Sequence, residues 1–565
     1  MSDASRTPES RSVPNDQNEV IAFLSDPSAY AAKNTIRPDK VECIQTHAAM
    51  VFLAGHEAYK IKRAVKYPYL DFSTLDKRRR ICLHEYLVNR VSAPEFYLGV
   101  VPIARQENGR LAIGGVGKVV EWALHMRRFQ TSDILGYAFD RSPPSDEAIA
   151  CLAQHIAWFH GRAPQSLTSD GDKRIGRIVD ELQSVLSLTH GNLPMQSIQV
   201  LLAYCLTALQ QVRICLKLRG RRGCIRRCHG DLHLFNIVLV EGRPVLFDAL
   251  EFDEELATID VLYDLAFLIM DLDFRGFCPA ANQILNHYLH HRGSELDIYG
   301  LRAMPLFLAL RAAIRAMVGV ERAQSINGPA RQRADQDARN YLDKAISYLE
   351  PRQPRLVAIG GFSGTGKSTL ASALAPRIGP SPGAIHLRSD WERKAHFGVA
   401  LTERLAADTY TPEASAAAYK SLFSKARRAL RAGSAVVVDA TFQSAAERRA
   451  MEELGCLNRV PFTGLWLTVD KPIAVDRVRF RTGDASDATA EVVESQFAHG
   501  DGSIDWQIVD ASGNADATLA VAERILDATS QINRPALSVP SGSAARAGPA
   551  LRTGWTPGHQ ATARS

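Results

Sequence analysis

A chain of 565 residues is too long for a single hydrophobic core, and its length fits about three to four domain-sized units. Hydrophobic residues at 46% and charged residues at 23% are ordinary for a soluble globular protein. The net charge of +6 is mild for this size; it admits small anionic ligands and does not single out nucleic acid as a partner.

Residues 1–18 are polar and rich in Pro, Ser and Asp, and read as a disordered tail with no apolar core for a secretory leader. The longest apolar stretch, Val261 to Leu272, is interrupted by Asp264 and Asp271 and is too short to span a bilayer. A cytoplasmic protein with no membrane partner is expected. Nine scattered cysteines form no C-x-x-C pair, and read as reduced buried thiols rather than zinc ligands.

Residues 19–350 form the first unit. Met50-Val-Phe-Leu-Ala54, a turn at Gly55-His-Glu57 and Ala58-Tyr-Lys-Ile-Lys62 predict a β-hairpin. Lys60 and Lys62 then share one face of its second strand. The run Lys217, Arg219, Arg221, Arg222, Arg226, Arg227 has no interleaved aromatic residue to stack bases, and reads as a solvated loop.

His229-Gly-Asp231-Leu-His-Leu-Phe-Asn236 sets an aspartate and an asparagine five apart, the spacing of a kinase catalytic loop. There Asp231 would accept a hydroxyl proton and Asn236 would hold a metal ion. A second hairpin follows, with its turn at Glu241-Gly242 and Asp248 at its end. Gly242 lies midway between Asn236 and Asp248, so the hairpin is expected to set those two side by side. Two such oxygen donors suit Mg²⁺, a hard cation.

Glu350-Pro-Arg-Gln-Pro354-Arg reads as a linker, and residues 351–534 as the second unit. Residues 535–565, rich in Pro, Gly, Ser and Ala, read as a second disordered tail. Strands are predicted near Leu356–Ile359, Ala384–Arg388, Ala435–Val438, Gly464–Val469 and Gln507–Val509, with amphipathic helices between them. That alternation implies a parallel sheet wrapped by helices, with ligands at the carboxyl ends of its strands.

After the first of these strands comes Gly361-Phe-Ser363-Gly364-Thr365-Gly366-Lys367-Ser368, then a helix from Thr369. Strand, G-x-x-x-x-G-K-S loop and helix stand in the order a triphosphate cradle requires. Backbone N–H groups from Gly361 to Thr369 and the helix N-terminus would face the phosphates. Lys367 would reach the β- and γ-phosphates and the Ser368 hydroxyl Mg²⁺, so the expected ligands are ATP and Mg²⁺. Asp439, at the end of an apolar strand, would help hold the metal. In Arg388-Ser-Asp390-Trp-Glu-Arg393-Lys394, Asp390 is a candidate base and Arg393 a candidate anion ligand. The competing reading makes Ser389 or Asp390 a helix N-cap. Arg477 and Arg481, four apart, would share a helical face and close over the transferring phosphoryl group.

The second unit resembles small phosphate-loop kinases of the gluconate, shikimate and polynucleotide kinase type. More closely, Gly361–Thr369, Arg388–Lys394, Tyr410–Glu413, Val437–Phe442 and Gly483–Ala488 resemble a bacterial family in which an aminoglycoside-phosphotransferase-like domain is fused to an ATP-binding domain. His229–Asn236 is similar to the H-G-D-x-x-x-x-N motif of aminoglycoside phosphotransferases.

The resemblance implies an α+β bilobal kinase-like domain followed by an α/β phosphate-loop NTPase domain. It makes Asp231 the base, and Asn236 with Asp248 the metal ligands. It also implies that Lys60 or Lys62, Lys60 being favoured, touches the ATP phosphates and pairs with Glu85, and that Glu121–Met126 is the hinge at adenine. Two departures matter, the first from protein kinases but usual in the antibiotic-kinase-like group, the second from aminoglycoside phosphotransferases. No G-x-G-x-x-G loop covers the phosphates, and residues 275–350 lack the acidic cluster that a polycationic aminoglycoside would need. The expected function is ATP-dependent phosphorylation of a small hydroxylated acceptor. The rivals are a nucleotide-sensing role for one unit and a polynucleotide-kinase-like second unit.

Overall fold

The computed structural model describes residues 15–30, 38–46, 48–67, 70–186, 193–324, 326–481, 485–500 and 503–532. Most of the first expected tail and all of the second lie outside these. Residues 15–18 correct the first boundary, because the helix Asn15–Ser25 begins there. Its Gln17 is buried and donates to the Lys62 carbonyl at 2.8 Å and to Glu121 at 3.1 Å.

The amino-terminal lobe is a six-stranded antiparallel sheet. Its order is Val41–Gln45, Ala49–Ala54, Glu57–Lys62, Lys118–Arg127, Tyr97–Arg105 and Leu111–Ile113. The expected hairpin is present, with Val51 opposite Lys60. Glu57–Lys62 is therefore an interior strand, and the helix Leu75–Asn89 packs against its sheet. Thr74 caps that helix, its hydroxyl accepting from the Lys77 N–H. Glu121–Met126 is the interior of a strand that runs on to Arg127, so it is not the connection between lobes. Glu121 is fully buried and bound by Arg78 at 2.9 Å.

The second lobe is helical. Its long helices include Asp146–Arg162, Gly171–Leu186, Met195–Arg221, Val261–Phe274, Cys278–Arg292 and Met304–Gln324. By length and composition, Met195–Arg221 and Glu295–Gln324 could cross a bilayer, and both exceed the stretch expected from the sequence. Most of the apolar window in Glu295–Gln324 is buried as core. The basic run spans a helix end and a strand rather than a loop, and only part of it, including Arg221 and Arg222, is exposed. Arg219 is fully buried between Asp260 and Asp297, and Arg226 donates to the carbonyls of Gly161 and Ala163. These cations hold helices together because burial without partners would be costly. Cys43, Cys151 and Cys456 are exposed, so the cysteines are not uniformly buried.

The carboxyl-terminal sheet has five parallel strands in the order Ile385–Arg388, Val436–Asp439, Leu356–Gly361, Phe462–Thr468 and Gln507–Asp510. Val436–Val438 are fully buried, as a strand covered on both faces requires. The two units are packed together. One apolar cluster runs from Leu262 and Phe307 through Tyr348 to Leu356, Val438 and Trp466. Asn282 donates to the carbonyls of Pro382 and Ala384, Asn286 accepts from the His386 N–H at 2.8 Å, and Ser381 donates to Asp273 at 2.6 Å.

Candidate active sites

In the first unit, Lys60 Nζ lies 2.8 Å from Glu85 and 2.7 Å from Asp248. Lys62 Nζ lies 2.6 Å from the other Glu85 oxygen and 2.5 Å from Glu251. Both lysines meet the same glutamate, as two residues on one strand face must. Lys60 is the one joined to Asp248, whose carboxylate is 41% exposed, whereas Lys62 is buried. Burial alone would raise the Glu85 pKa, but the two ammonium groups hold it below the usual carboxylate range.

The segment His229–Asn236 is anchored from beneath. Asp264, fully buried, accepts from the N–H groups of His229 at 3.1 Å and Gly230 at 2.8 Å and is met by His160 at 3.0 Å. Asp271 accepts from the Leu234 N–H at 3.0 Å. Asp231 receives the Asn236 amide at 2.9 Å, and His233 Nε2 stands 3.4 Å away. Burial works against ionisation of Asp231, but the imidazoles of His233 and His229 keep its carboxyl well below its ordinary value. It is poised as a carboxylate.

The hairpin register differs by one residue from expectation. Ile237 pairs with Leu246, and the Phe247 N–H donates to the Asn236 carbonyl at 3.0 Å, so Phe247 stands opposite Asn236. Asp248 follows with φ +57°, a left-handed turn that takes it out of the hairpin toward Lys60. Asn236 and Asp248, which follows the residue opposite Asn236 across the hairpin, offer hard oxygen donors, a set that fits a divalent cation.

In the second unit, Ser363, Gly364, Gly366, Lys367, Ser368, Thr369, Asp390, Arg393, Asp439, Arg477 and Arg481 line one cleft of about 800 Å³. Two expected cradle residues serve the loop instead. A Cβ on Gly361 would stand 2.6 Å from the Leu467 carbonyl oxygen, and the buried Thr365 hydroxyl donates to the Phe362 carbonyl at 2.8 Å. Gly364 has φ +81°, and a Cβ there would meet the Ala474 oxygen at 2.4 Å, so no other residue fits. Lys367 Nζ donates to the Phe362 carbonyl at 2.8 Å.

Asp439 ends its strand buried, held by His386 Nε2 at 2.8 Å. Despite burial, that hydrogen bond and the Arg388 charge keep its pKa low, so it offers an anionic oxygen suited to Mg²⁺. Arg388 is the N-cap of the helix Ser389–Phe397 and makes no side-chain cap bond, so the capping reading of Ser389 or Asp390 does not hold. Asp390 lies in the first turn, with Arg393 Nη1 at 3.2 Å. Burial raises its pKa, and the Arg393 charge offsets this only in part. The helix carrying Arg477 ends at Arg479, so Arg477 and Arg481 do not share a helical face. Arg477 donates to the Ala511 carbonyl and Arg481 to the Ser486 carbonyl. Gly483 and Asp484 lie outside the described residues.

Sequence reasoning missed several of these groups. Asp264 stood only as an interruption in an apolar run, and nothing local to His160, His386 or Gln496 marks them. Gln496 accepts from the Ser363 N–H at 2.7 Å, occupying part of the cradle.

Residues 356–501 match the family model described as an AAA domain. The uncharacterized protein Rv2004c of Mycobacterium tuberculosis (strain H37Rv) is 28% identical over 494 residues, covering 86% of this chain and 95% of that protein. A gluconokinase from Sinorhizobium meliloti aligns over 33% of this chain and 100% of its own, at 18% identity and TM-score 0.23. A choline/ethanolamine kinase family protein from Mesorhizobium loti aligns over 60% of this chain and 95% of its own, at 16% identity and TM-score 0.37. An aminoglycoside 2'-phosphotransferase-IIIa aligns over 58% and 99%, at 15% identity and TM-score 0.36. The chain joins a unit built of a six-stranded antiparallel sheet and a helical lobe to a unit built on a five-stranded parallel sheet, and the match to the AAA domain falls in the second.

Proposed function

We propose that the chain is an ATP-dependent phosphotransferase with two nucleotide-binding modules, each phosphorylating a small hydroxylated acceptor. The observation that carries this reading is the single cleft that gathers Lys367, Ser368, Asp390, Asp439, Arg477 and Arg481 from separate elements of the second unit. The Lys60–Glu85–Asp248 chain of ion pairs supports the same reading of the first.

In the first unit Asp231 takes the acceptor proton while Lys60 holds the phosphates, and Asn236 and Asp248 would hold the metal. In the second, Lys367 and the loop N–H groups hold the triphosphate, and Ser368 and Asp439 would hold the metal. Asp390 takes the acceptor proton there, and Arg393, Arg477 and Arg481 neutralise the transferring group. Bound Mg²⁺ would supply charge neutralisation at the β- and γ-phosphates. Calorimetry with a non-hydrolysable ATP analogue and magnesium tests the reading. Two equivalents should bind per chain, and Lys60→Ala and Lys367→Ala should each remove one. A wild-type stoichiometry of one overturns it.

Gln496 competes with phosphate for the Ser363 N–H in this arrangement. A hydrogen bond worth roughly 0.5–1.5 kcal/mol is lost in Gln496→Ala, so nucleotide affinity of the second unit should rise about two- to tenfold. The same titration reads it; an unchanged or weaker affinity removes the glutamine as a competitor.

A further inference from the structure

The helical lobe holds a cavity of about 380 Å³ that the reading above does not use. Its walls are largely apolar, including Ile175, Leu182, Ile259, Ile314 and Met317. It reaches Gly230, the residue before Asp231, and Leu250, two residues after Asp248. Both loops that bear the first unit's candidate acids therefore border it.

Two polar side chains that line it each have one buried atom with no hydrogen-bond partner. Arg311 is 6% exposed and Tyr263 is 2% exposed. The guanidinium sits 4.0 Å from the Tyr263 ring centroid and 4.8 Å from that of Phe267, and Nε donates to the Tyr263 carbonyl at 3.2 Å. Arg311 Nη2 and the Tyr263 hydroxyl are buried with no hydrogen-bond partner. Among the described residues no carboxylate forms an ion pair with Arg311, whereas the comparably buried Arg219 has two. Burial keeps the Tyr263 phenol protonated, so it remains a donor. The charges of Asp231 and Asp264 act on Arg311 without an ion-pair contact, and buried donors left unbonded are costly. Four carboxylates border the cavity: Glu181 and Glu255 are exposed, Glu255 being paired with Arg177, Asp253 caps the helix Glu254–Ala257, and buried Asp260 is bound by Arg219.

We propose that this cavity binds a molecule with a carboxylate or phosphate at one end and an apolar body, and that the first unit's acceptor belongs to this class. The anion meets Arg311 and the Tyr263 hydroxyl, and the apolar walls take the body. The assignment of acceptor class rests on the phosphotransferase reading above; the binding site itself does not. The two exposures favour a soluble molecule over a membrane surface, because a headgroup held in a bilayer would not reach groups so enclosed.

The test titrates the full chain with decanoate, decyl phosphate, decanol and decyltrimethylammonium, by calorimetry below their micelle concentrations. At least one anion should bind, with the alcohol and the cation at least tenfold weaker. Arg311→Met should weaken the anion at least tenfold and leave decanol within twofold. Ile314→Trp, which fills the cavity without touching the charge, should abolish anion binding. Anions that bind no better than decanol overturn the proposal, as does decanoate affinity unchanged by Arg311→Met. Should that variant not fold, retained decanoate binding in Ile314→Trp overturns it. Nucleotide stoichiometry on the same samples separates the two ideas. Two nucleotides with no anion binding defeat the cavity assignment alone, and anion binding with fewer than two nucleotides defeats the two-module reading alone.

Discussion

Lys367→Ala, made in a full chain whose first unit is silenced by Asp231→Asn, is expected to lower ATP-dependent phosphoryl transfer on the order of 10²–10³-fold, the range for removing one preorganised charge-stabilising donor. Lys367 begins its helix immediately after the left-handed Gly366, and its Nζ rests on the Phe362 carbonyl of its own loop. Alanine leaves this backbone intact, because it is set by Gly361, Gly364 and the Thr365–Phe362 hydrogen bond. The loss should therefore come without a change in melting temperature. ADP release with a mixture of small hydroxylated metabolites measures it, and turnover within threefold of the parent would reject Lys367 as a phosphate ligand.

Asp231→Asn is expected to cost the first unit about 10²–10⁴-fold, the usual worth of a positioned general base. Asparagine keeps the shape, and a flipped amide can still meet Asn236, so folding should be spared. The pH dependence gives a second reading. A base works deprotonated, so activity falls as pH drops through its pKa. Asp231 is held below the ordinary carboxylate value and Asp390 above it. The acid limb of the first unit, read in Lys367→Ala, should therefore lie at lower pH than that of the second, read in Asp231→Asn. Coincident limbs, or a reversed order, would contradict the assignment of the two bases.

The phosphate loop and the five parallel strands were legible because their signals are local: a short apolar run, then a turn that only glycine accommodates. Asp439 was legible for the same reason, as a carboxylate at the end of a valine strand. The choice between Lys60 and Lys62 was not, since residues two apart share a face and both reach Glu85. What separates them is Asp248 and Glu251, 188 and 189 residues away. The pairing of Asn236 with Asp248 failed through a one-residue register difference, which the midpoint at Gly242 cannot resolve. Arg219 and Arg226 looked like surface charge because their partners, Asp260, Asp297 and backbone carbonyls, come from other elements. His386 was silent until the sheet set it beside Asp439.

The asparagine ladder from the helix Cys278–Arg292 to the segment Pro382–His386 has a practical meaning. Severing the polypeptide at residues 350–355 would strip Asn282 and Asn286 of their acceptors and donors and wet a continuous greasy seam. The imidazole that steadies Asp439 sits on the strand those asparagines clamp, so an excised second half would lose the brace behind the carboxylate proposed to hold its metal. Dissection by point substitution in the intact molecule, rather than by scissors, is the route by which its two chemistries can be told apart.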